Sequence, residues 1–349
     1  MSSTLTPIGS RFSTTSLRSL RRARFLWLLA FAVVVAAAVA LPAFRTPVSV
    51  NSLLASLTPV LLIAIGQAMV IMFGGIDLSV GATAGLATVT LALSPLLPGG
   101  AVTSVGVVLV VGLIVGLLNG GGVVAGINPL LMTFAASGVI QGIALLVQGT
   151  QGAQIPVELF AVLGASIGPV PVFTILAFVV LLGCWLWVGQ SRTGRTIQAA
   201  GYDSRIATRL GFPVRRTAFI VYGLSGFLAA LGGLAIVVRT YTADALVGAS
   251  SVIDSIATVL VAGIVITGGV GSLLSVLPAA VIIAVVGQII TLTGTDSYYQ
   301  TIFKGVLLIA AMAVYGLAGK KIRVPWRLRR PLVDSASRAT RGEGEEGVR

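Results

Sequence analysis

Stretches of about twenty predominantly apolar residues, the length that crosses the roughly 30 Å hydrocarbon core of a bilayer as a helix, follow one another with short interruptions from residue 25 to residue 318. A chain built this way cannot cover itself with a water-facing surface. Only 9% of its 349 residues are charged, against about 25% in an ordinary soluble domain, and its mean hydropathy is +1.04. The fold class is therefore an all-α polytopic membrane protein. Ten transmembrane helices are predicted, at roughly 25–44, 53–73, 79–96, 101–119, 129–148, 171–188, 217–238, 252–267, 272–293 and 300–318, of which the third and eighth carry the weakest signal. The first exceeds the apolar length of about 7–15 residues found in signal peptides and reads as a retained span. The 43 glycines follow no Gly-x-y period and point to close helix packing and broken helices.

The basic residues test this count, because cytoplasmic loops of membrane proteins are enriched in Lys and Arg. Twenty of the 23 fall into three clusters: Arg11 to Arg24, Arg192 to Arg216, and Lys320 to Arg349. Six predicted spans separate the first cluster from the second and four separate the second from the third. Both intervals are even, so all three clusters lie on one side and both termini are expected in the cytoplasm. The chain accordingly divides into a basic N-terminal segment 1–24, a permease-like membrane domain 25–318 with a polar linker 189–216 inside it, and a tail 319–349 expected to be disordered from its polar composition. The formal charge of +13 thus signals topology and contact with the lipid bilayer, with no nucleic-acid partner. The chain has no histidine and one cysteine, Cys184. Disulfides, His or Cys metal sites and histidine-based catalysis are excluded together.

Four segments stand out. In the linker GQSRTGRTIQAAGYDSRIATRLGFPVRR, Asp203 or Ser204 can cap a short helix that ends at Leu210 before Gly211 and Pro213. Ile206 and Leu210 share one face of it, which suits either a docking surface or a helix lying on lipid. Span two ends in FGGIDLSVG: Gly74 and Gly75 break the helix, and Asp77 and Ser79 are residue types that cap a new start. An intramembrane carboxylate such as Asp77 is also a candidate functional group. Asp254 is expected at the start of span eight, and Gly268, Gly269 and Gly271 form a flexible break at its end. Gly112, Gly116 and Gly120, like Ser225, Ala229 and Gly233, repeat at the four-residue spacing of tightly packed helices. Lys304, close to the end of span ten, is expected to snorkel outward. The GLAGKK segment has Val314 where a phosphate-binding loop needs its first glycine, so ATP is not expected on this chain.

In this order, GQAMVIMFGGIDLSVGATAGL, GINPLLMTFA, TGRTIQAAGYDSRIATRLGFPVRRTAF and VIDSIATVLVAGIVITGGVGS resemble the ribose/galactose-type permeases of bacterial ABC importers, over about residues 50–318. The resemblance implies a ten-span permease of the inner membrane that pairs with a second copy or a paralogue. It further implies two cytoplasmic ATPase subunits carrying ATP and Mg, and an extracytoplasmic sugar-binding protein. The chain itself would be a transport subunit with no catalytic residues, bound cofactor or metal. By the same resemblance the ATPase-coupling segment is Gly201, Asp203, Ser204, Arg205, Ile206, Ala207, Arg209, Leu210 and Gly211, with Asp203 and Ile206 replacing the family's usual Asn and Ala. Gly74, Gly75, Asp77, Ser79, Asn128, Asp254, Gly268 and Gly269 are candidates for the translocation path or for helix breaks. AGIVITGG, and Thr133-Phe134-Ala135 after Asn128-Pro129, depart from the family pattern and leave substrate and self-pairing open. The alternatives are an ion-driven secondary transporter with Asp77 as coupling carboxylate, and a permease for branched-chain amino acids. An intramembrane aspartyl protease would need Asp77 and Asp254 together, whereas the topology puts them near opposite faces.

Overall fold

A computed structural model describes residues 11–93, 100–148, 153–155, 159–160, 163–296 and 298–319. Residues 320–349 of the expected tail, and residues 1–10, lie outside the described residues. The chain forms two units, Met1–Ala311 and Met312–Arg349. The first holds the helical bundle, and the described part of the second is the end of the last helix.

Eleven α-helices are described: α1 (Arg11–Ala40), α2 (Pro47–Phe73), α3 (Val80–Ala92), α4 (Gly100–Val124), α5 (Pro129–Gln148), α6 (Val172–Gln190), α7 (Arg192–Arg209), α8 (Val214–Thr240), α9 (Ala249–Val261), α10 (Val276–Leu292) and α11 (Tyr298–Gly319). Among the described residues, six segments are long and apolar enough to cross a membrane: α2, α4, α5, α6, α8 and Leu273–Leu292, which includes α10. The all-α polytopic class stands. Helix α1 begins at Arg11, so part of the basic N-terminal segment is helical and continuous with the first apolar stretch. Helix α7 lies inside the polar linker and is the one helix among these with more polar than apolar character.

Two helices are too short to span. At 1.5 Å per residue, the 13 residues of α3 and of α9 reach about 20 Å, two thirds of the hydrocarbon core. Each is completed by irregular chain, residues 74–79 before α3 and 262–272 after α9. The predicted eighth span, drawn to residue 267, therefore stops being helical at Val261. Non-helical backbone at membrane depth survives only where protein covers it, and both segments adjoin the most buried helices of the bundle.

Helix α8 is the hub. Its contacts with α4, α2 and α3 are the most extensive in the bundle, and small residues on three of its faces let them close. Gly112 and Gly116 of α4 meet the backbone of Gly226, Tyr222 and Gly223, while Gly120 meets Ala218 and Phe219. Gly66 of α2 lies against Ser225, and Gly233 against Ala84 and Ala87 of α3. The small-residue repeats thus serve packing inside one chain. On the side away from the linker, α8 ends in a left-handed turn at Tyr241, φ 61°, whose ring stacks on Phe160 with centroids 4.6 Å apart. Two minimal antiparallel ladders lie in the connections on that side: β1 (Ala153–Gln154) pairs with β4 (Thr242–Ala243), and β2 (Ser166–Ile167) with β3 (Val170–Pro171). Side chains of α5 pin the same region, with Gln141 Nε2 donating to Ala245 O at 2.8 Å and Gln148 Nε2 to Ala243 O at 2.7 Å.

A Cβ on Gly116 would collide with backbone of α8, which cannot rotate away, whereas one on Gly138 of α5 would meet nothing within 4 Å. Gly116→Ala is expected to destabilise the detergent-solubilised protein by about 1–3 kcal/mol, the usual penalty of overpacking. Gly138→Ala should leave the melting temperature unchanged or raise it. Thermal unfolding of the two variants side by side checks the assignment.

Candidate functional site

The break between α2 and α3 is the most polar place in the core. Gly74 closes α2 in a left-handed conformation, φ 96°, its N–H donating to Ile71 O at 2.9 Å. Asp77 follows with its side chain fully buried. Its Oδ1 accepts the Ser79 N–H at 3.0 Å and the Ser79 hydroxyl at 2.6 Å, and its Oδ2 accepts the Ser225 hydroxyl of α8 at 2.8 Å. Asn119 of α4 donates to Ser79 Oγ at 2.8 Å, and Thr133 of α5 receives the Leu78 N–H at 3.1 Å while donating to Ile76 O at 3.1 Å. Helices α4, α5 and α8 therefore all reach the break, α8 at the carboxylate itself and α4 and α5 at the residues beside it. Asp77 does supply an acceptor to the freed backbone, but Ser79 makes no side-chain cap on α3: its hydroxyl is committed to Asp77. Ser225, Asn119 and Thr133 escaped sequence reading as members of this network because the groups they bond lie on another segment of the chain, which local spacing does not show.

Glycines bring a second group of expected residues together. Gly201 of α7 lies so close to the end of α2 that a Cβ there would overlap Met72 O and the Gly269 nitrogen. Those two atoms are hydrogen-bonded to each other at 2.9 Å. Gly268 and Gly269, both with positive φ at 89° and 77°, approach Gly201, Gly74 and the Tyr202 ring. The linker, the α2–α3 break and the loop after α9 are thus in backbone contact.

Helix α7 bends just beyond this junction. Asp203 has extended backbone, φ −162° and ψ 107°, and its Oδ1 accepts the N–H groups of Arg205 and Ile206, each at 2.9 Å. It thereby caps the helix formed by Ser204 to Arg209. Gly211, φ 83°, ends it: its N–H donates to Thr208 O at 3.0 Å and that of Phe212 to Ala207 O at 3.1 Å, the paired bonds of a Schellman turn. Ala207 is buried, whereas Tyr202, Ile206 and Leu210 are 69%, 55% and 71% exposed and spaced four apart. Tyr202 is the member of this stripe that the linker pattern did not single out. A cavity of ≈630 Å³ lies between the bend, the α2 terminus, the start of α8 and the α4–α5 turn, where Asn128 Oδ1 accepts the Leu130 N–H at 2.9 Å.

Asp254 belongs elsewhere. It sits well inside α9, away from the helix start where it was expected, and its Oδ1 and Oδ2 lie 2.7 and 2.9 Å from Lys304 Nζ of α11. Lys304 therefore does not snorkel outward: with 14% of its side chain accessible, it is held by the carboxylate. Arg239, at the α8 terminus remote from the linker, lies within electrostatic reach of Asp254 and donates to Ser56 Oγ at 3.2 Å. Asp77 and Asp254 share no hydrogen-bond partner, so no carboxylate dyad forms. Among the described residues, no group of three or more His, Cys, Asp or Glu could hold a metal.

Breaking a buried ion pair from one side costs about 3 kcal/mol because the other charge is left unpaired. Lys304→Met and Asp254→Asn should each lower the melting temperature, and the exchange Asp254→Lys with Lys304→Asp should recover part of the loss. Unfolding of the three variants measures the coupling; strictly additive effects would show that the pair does not hold α9 to α11.

Comparison with known proteins places this geometry. The family model described as branched-chain amino acid transport system / permease component matches residues 49–312. The ribose import permease protein RbsC of Bacillus subtilis is 32% identical over 298 residues, covering 81% of this chain and 89% of that protein. The autoinducer 2 import system permease protein LsrD of Photorhabdus laumondii is 30% identical over 259 residues, covering 72% and 78%, and that of Yersinia enterocolitica is 30% identical over 258 residues, covering 71% and 77%. The glycine break, the linker and the α9 loop all fall within the matched region. The chain belongs to the branched-chain amino acid transport system / permease component family and is a multi-pass membrane protein that serves as a permease component of a transport system.

Proposed function

We propose that the chain is the membrane-spanning subunit of an ATP-driven importer in a bacterial inner membrane, and that it carries a sugar or related small polar solute delivered by an extracytoplasmic binding protein. The names of its relatives, import permeases for ribose and for autoinducer 2, support that substrate class over the amino acids in the family's description. ATP and Mg reside on separate ATPase chains, and a second permease, a copy or a paralogue, completes the pathway. In this reading the chain crosses the membrane ten times with both termini cytoplasmic, α3 and α9 each crossing together with their irregular partner segment.

The observation that carries the proposal is the two-sided build of α7. One side presents Tyr202, Ile206 and Leu210 to solvent amid the linker arginines. The other is wedged by Gly201 against Met72 and Gly269. The segment from Gly201 to Gly211, with Asp203, Ser204, Arg205, Ala207 and Arg209, is then the coupling element: closure of the ATPase dimer pushes the exposed stripe, and the glycine junction passes the displacement to the α2–α3 break and to α9. Asp77 holds the break together. Both its oxygens already accept hydrogen bonds, which favours a structural role over ion coupling.

Ile206→Asp with Leu210→Asp should abolish uptake in cells while the variant inserts and accumulates normally, and the ATPase should no longer co-purify or should hydrolyse ATP without transport. Uptake at the unmodified rate would overturn the docking assignment. Gly201→Ala should also abolish uptake but leave the ATPase bound, separating transmission from docking. Mild-detergent purification followed by mass spectrometry should recover a P-loop ATPase. A chain recovered alone that concentrates solute under an ion gradient would overturn the importer reading itself.

A further inference from the structure

The cavity beside α7 combines two kinds of wall. Arg205 and Arg215 line it from the linker and from the first turn of α8, and among the described residues neither guanidinium has a hydrogen-bond or ion-pair partner. The backbone N–H groups of Arg215 and Arg216 are open in the same turn, where a helix N-terminus favours negative charge. Phe73, Val123, Val124, Ile127 and Val214 form an apolar wall, beside which Asn128 and Asp203 also line the cavity, Asp203 with its Oδ1 already accepting the Arg205 and Ile206 N–H groups. Ile127 is 48% exposed, and Leu130, Leu131 and Leu118 continue the apolar surface outward along α4 and α5.

The position of the cavity decides what such a mixture fits. Helices α2, α4, α5 and α8, all long and apolar enough to cross a membrane, each have one end at it, and those ends lie on the side of the basic linker. The arginines therefore stand at the depth of the lipid phosphates, and the apolar wall runs from them toward the acyl region. A soluble phosphate compound would have no use for that wall. A protein partner inserted from the aqueous side would leave the apolar outlet unfilled. Basic pockets between helices on the cytoplasmic side are suited to anionic headgroups.

We propose that this cavity is a binding site for an anionic phospholipid, its phosphate held by Arg205 and Arg215 and one acyl chain lying along Val123, Val124 and Ile127. The lipid would fill the space between the bend in α7 and the α4–α5 turn. It would thereby set how far the bend can move. Tyr202 also lines the cavity, whereas Ile206 and Leu210 do not, and lipid retention by the isolated chain is read without any ATPase present.

The full-length chain, delipidated in a neutral detergent, is titrated with phosphatidylglycerol or phosphatidylcholine and examined by native mass spectrometry. Phosphatidylglycerol should be retained about five- to thirtyfold better, as expected for one or two arginines at about 1 kcal/mol each. Arg205→Gln with Arg215→Gln should bring the ratio close to one. Arg192→Gln with Arg195→Gln, which removes the same charge from the linker outside the cavity, should leave it intact. Arg205→Lys with Arg215→Lys, keeping the charge, should retain a preference and so guards against a misfolded glutamine variant. Equal retention of the two lipids, or loss of the preference in the Arg192/Arg195 variant to the same degree, would overturn the site. Displacement of the lipid by glycerol 3-phosphate at equal concentration would show a free-phosphate site, and displacement by the ATPase subunit a protein-docking site; either would likewise overturn the lipid assignment.

Discussion

A bilayer offers no hydrogen bonds to a backbone that leaves its helix, and unsatisfied N–H or C=O groups cost several kcal/mol each in hydrocarbon. The six residues between α2 and α3 live under that constraint. Their solution draws in most of the bundle: Thr133 arrives on α5 to serve both Leu78 and Ile76, Ser225 arrives on α8 to hold Asp77, and Asn119 arrives on α4 to hold Ser79. The close seating of α4 and α2 on α8 through Gly112, Gly116 and Gly66 brings those side chains within reach. Glycine packing and polar satisfaction are two halves of one arrangement, since the first places the donors that the second requires.

The same logic explains what could be read from the chain alone. The apolar runs mark the long helices to within a few residues because burial in lipid demands continuous apolar sequence. FGGIDLSVG marks the break because Gly74 and Asp77 have no place inside an apolar helix. The bend at Asp203 and the stop at Gly211 were legible because capping and left-handed termination are local chemistry. Long-range pairs were not. Nothing in the neighbourhood of Lys304 shows that a residue fifty positions earlier in the chain carries its counter-charge, and outward snorkelling is the natural expectation for a lone lysine near a helix end. Nor does the spacing around Asp254 distinguish a capping residue from one whose partner lies on another helix. The contact of Gly201 with Gly269 was equally invisible: each glycine reads as a turn or a packing residue until the fold lays one on the other.

The family match covers the break, the linker and the α9 loop, and the relatives it joins import small solutes. The bundle described here is that of a permease component. Only about a fifth of the apolar stretch of each of α4, α5 and α6 is buried within the chain, leaving broad faces that the bilayer, a lipid in the α7 cavity and the proposed second permease would divide among them. Asp254 and Lys304 stand on the opposite half of the bundle from the linker, so that ion pair sits apart from the element that would receive force, whereas Asp77 lies in the break that adjoins it.

Where Gly201 meets Met72 and Gly269, backbone meets backbone with no side chain between them to be compressed or to change rotamer. A joint of that kind has no play. The Tyr202 ring rests on Gly269 and belongs to the joint, whereas Ile206 and Leu210 are attached to it without taking part in it, so under the proposed coupling those two side chains can be exchanged for others without altering how far the bundle moves per stroke. A chain made this way can change its engine and keep its gearing.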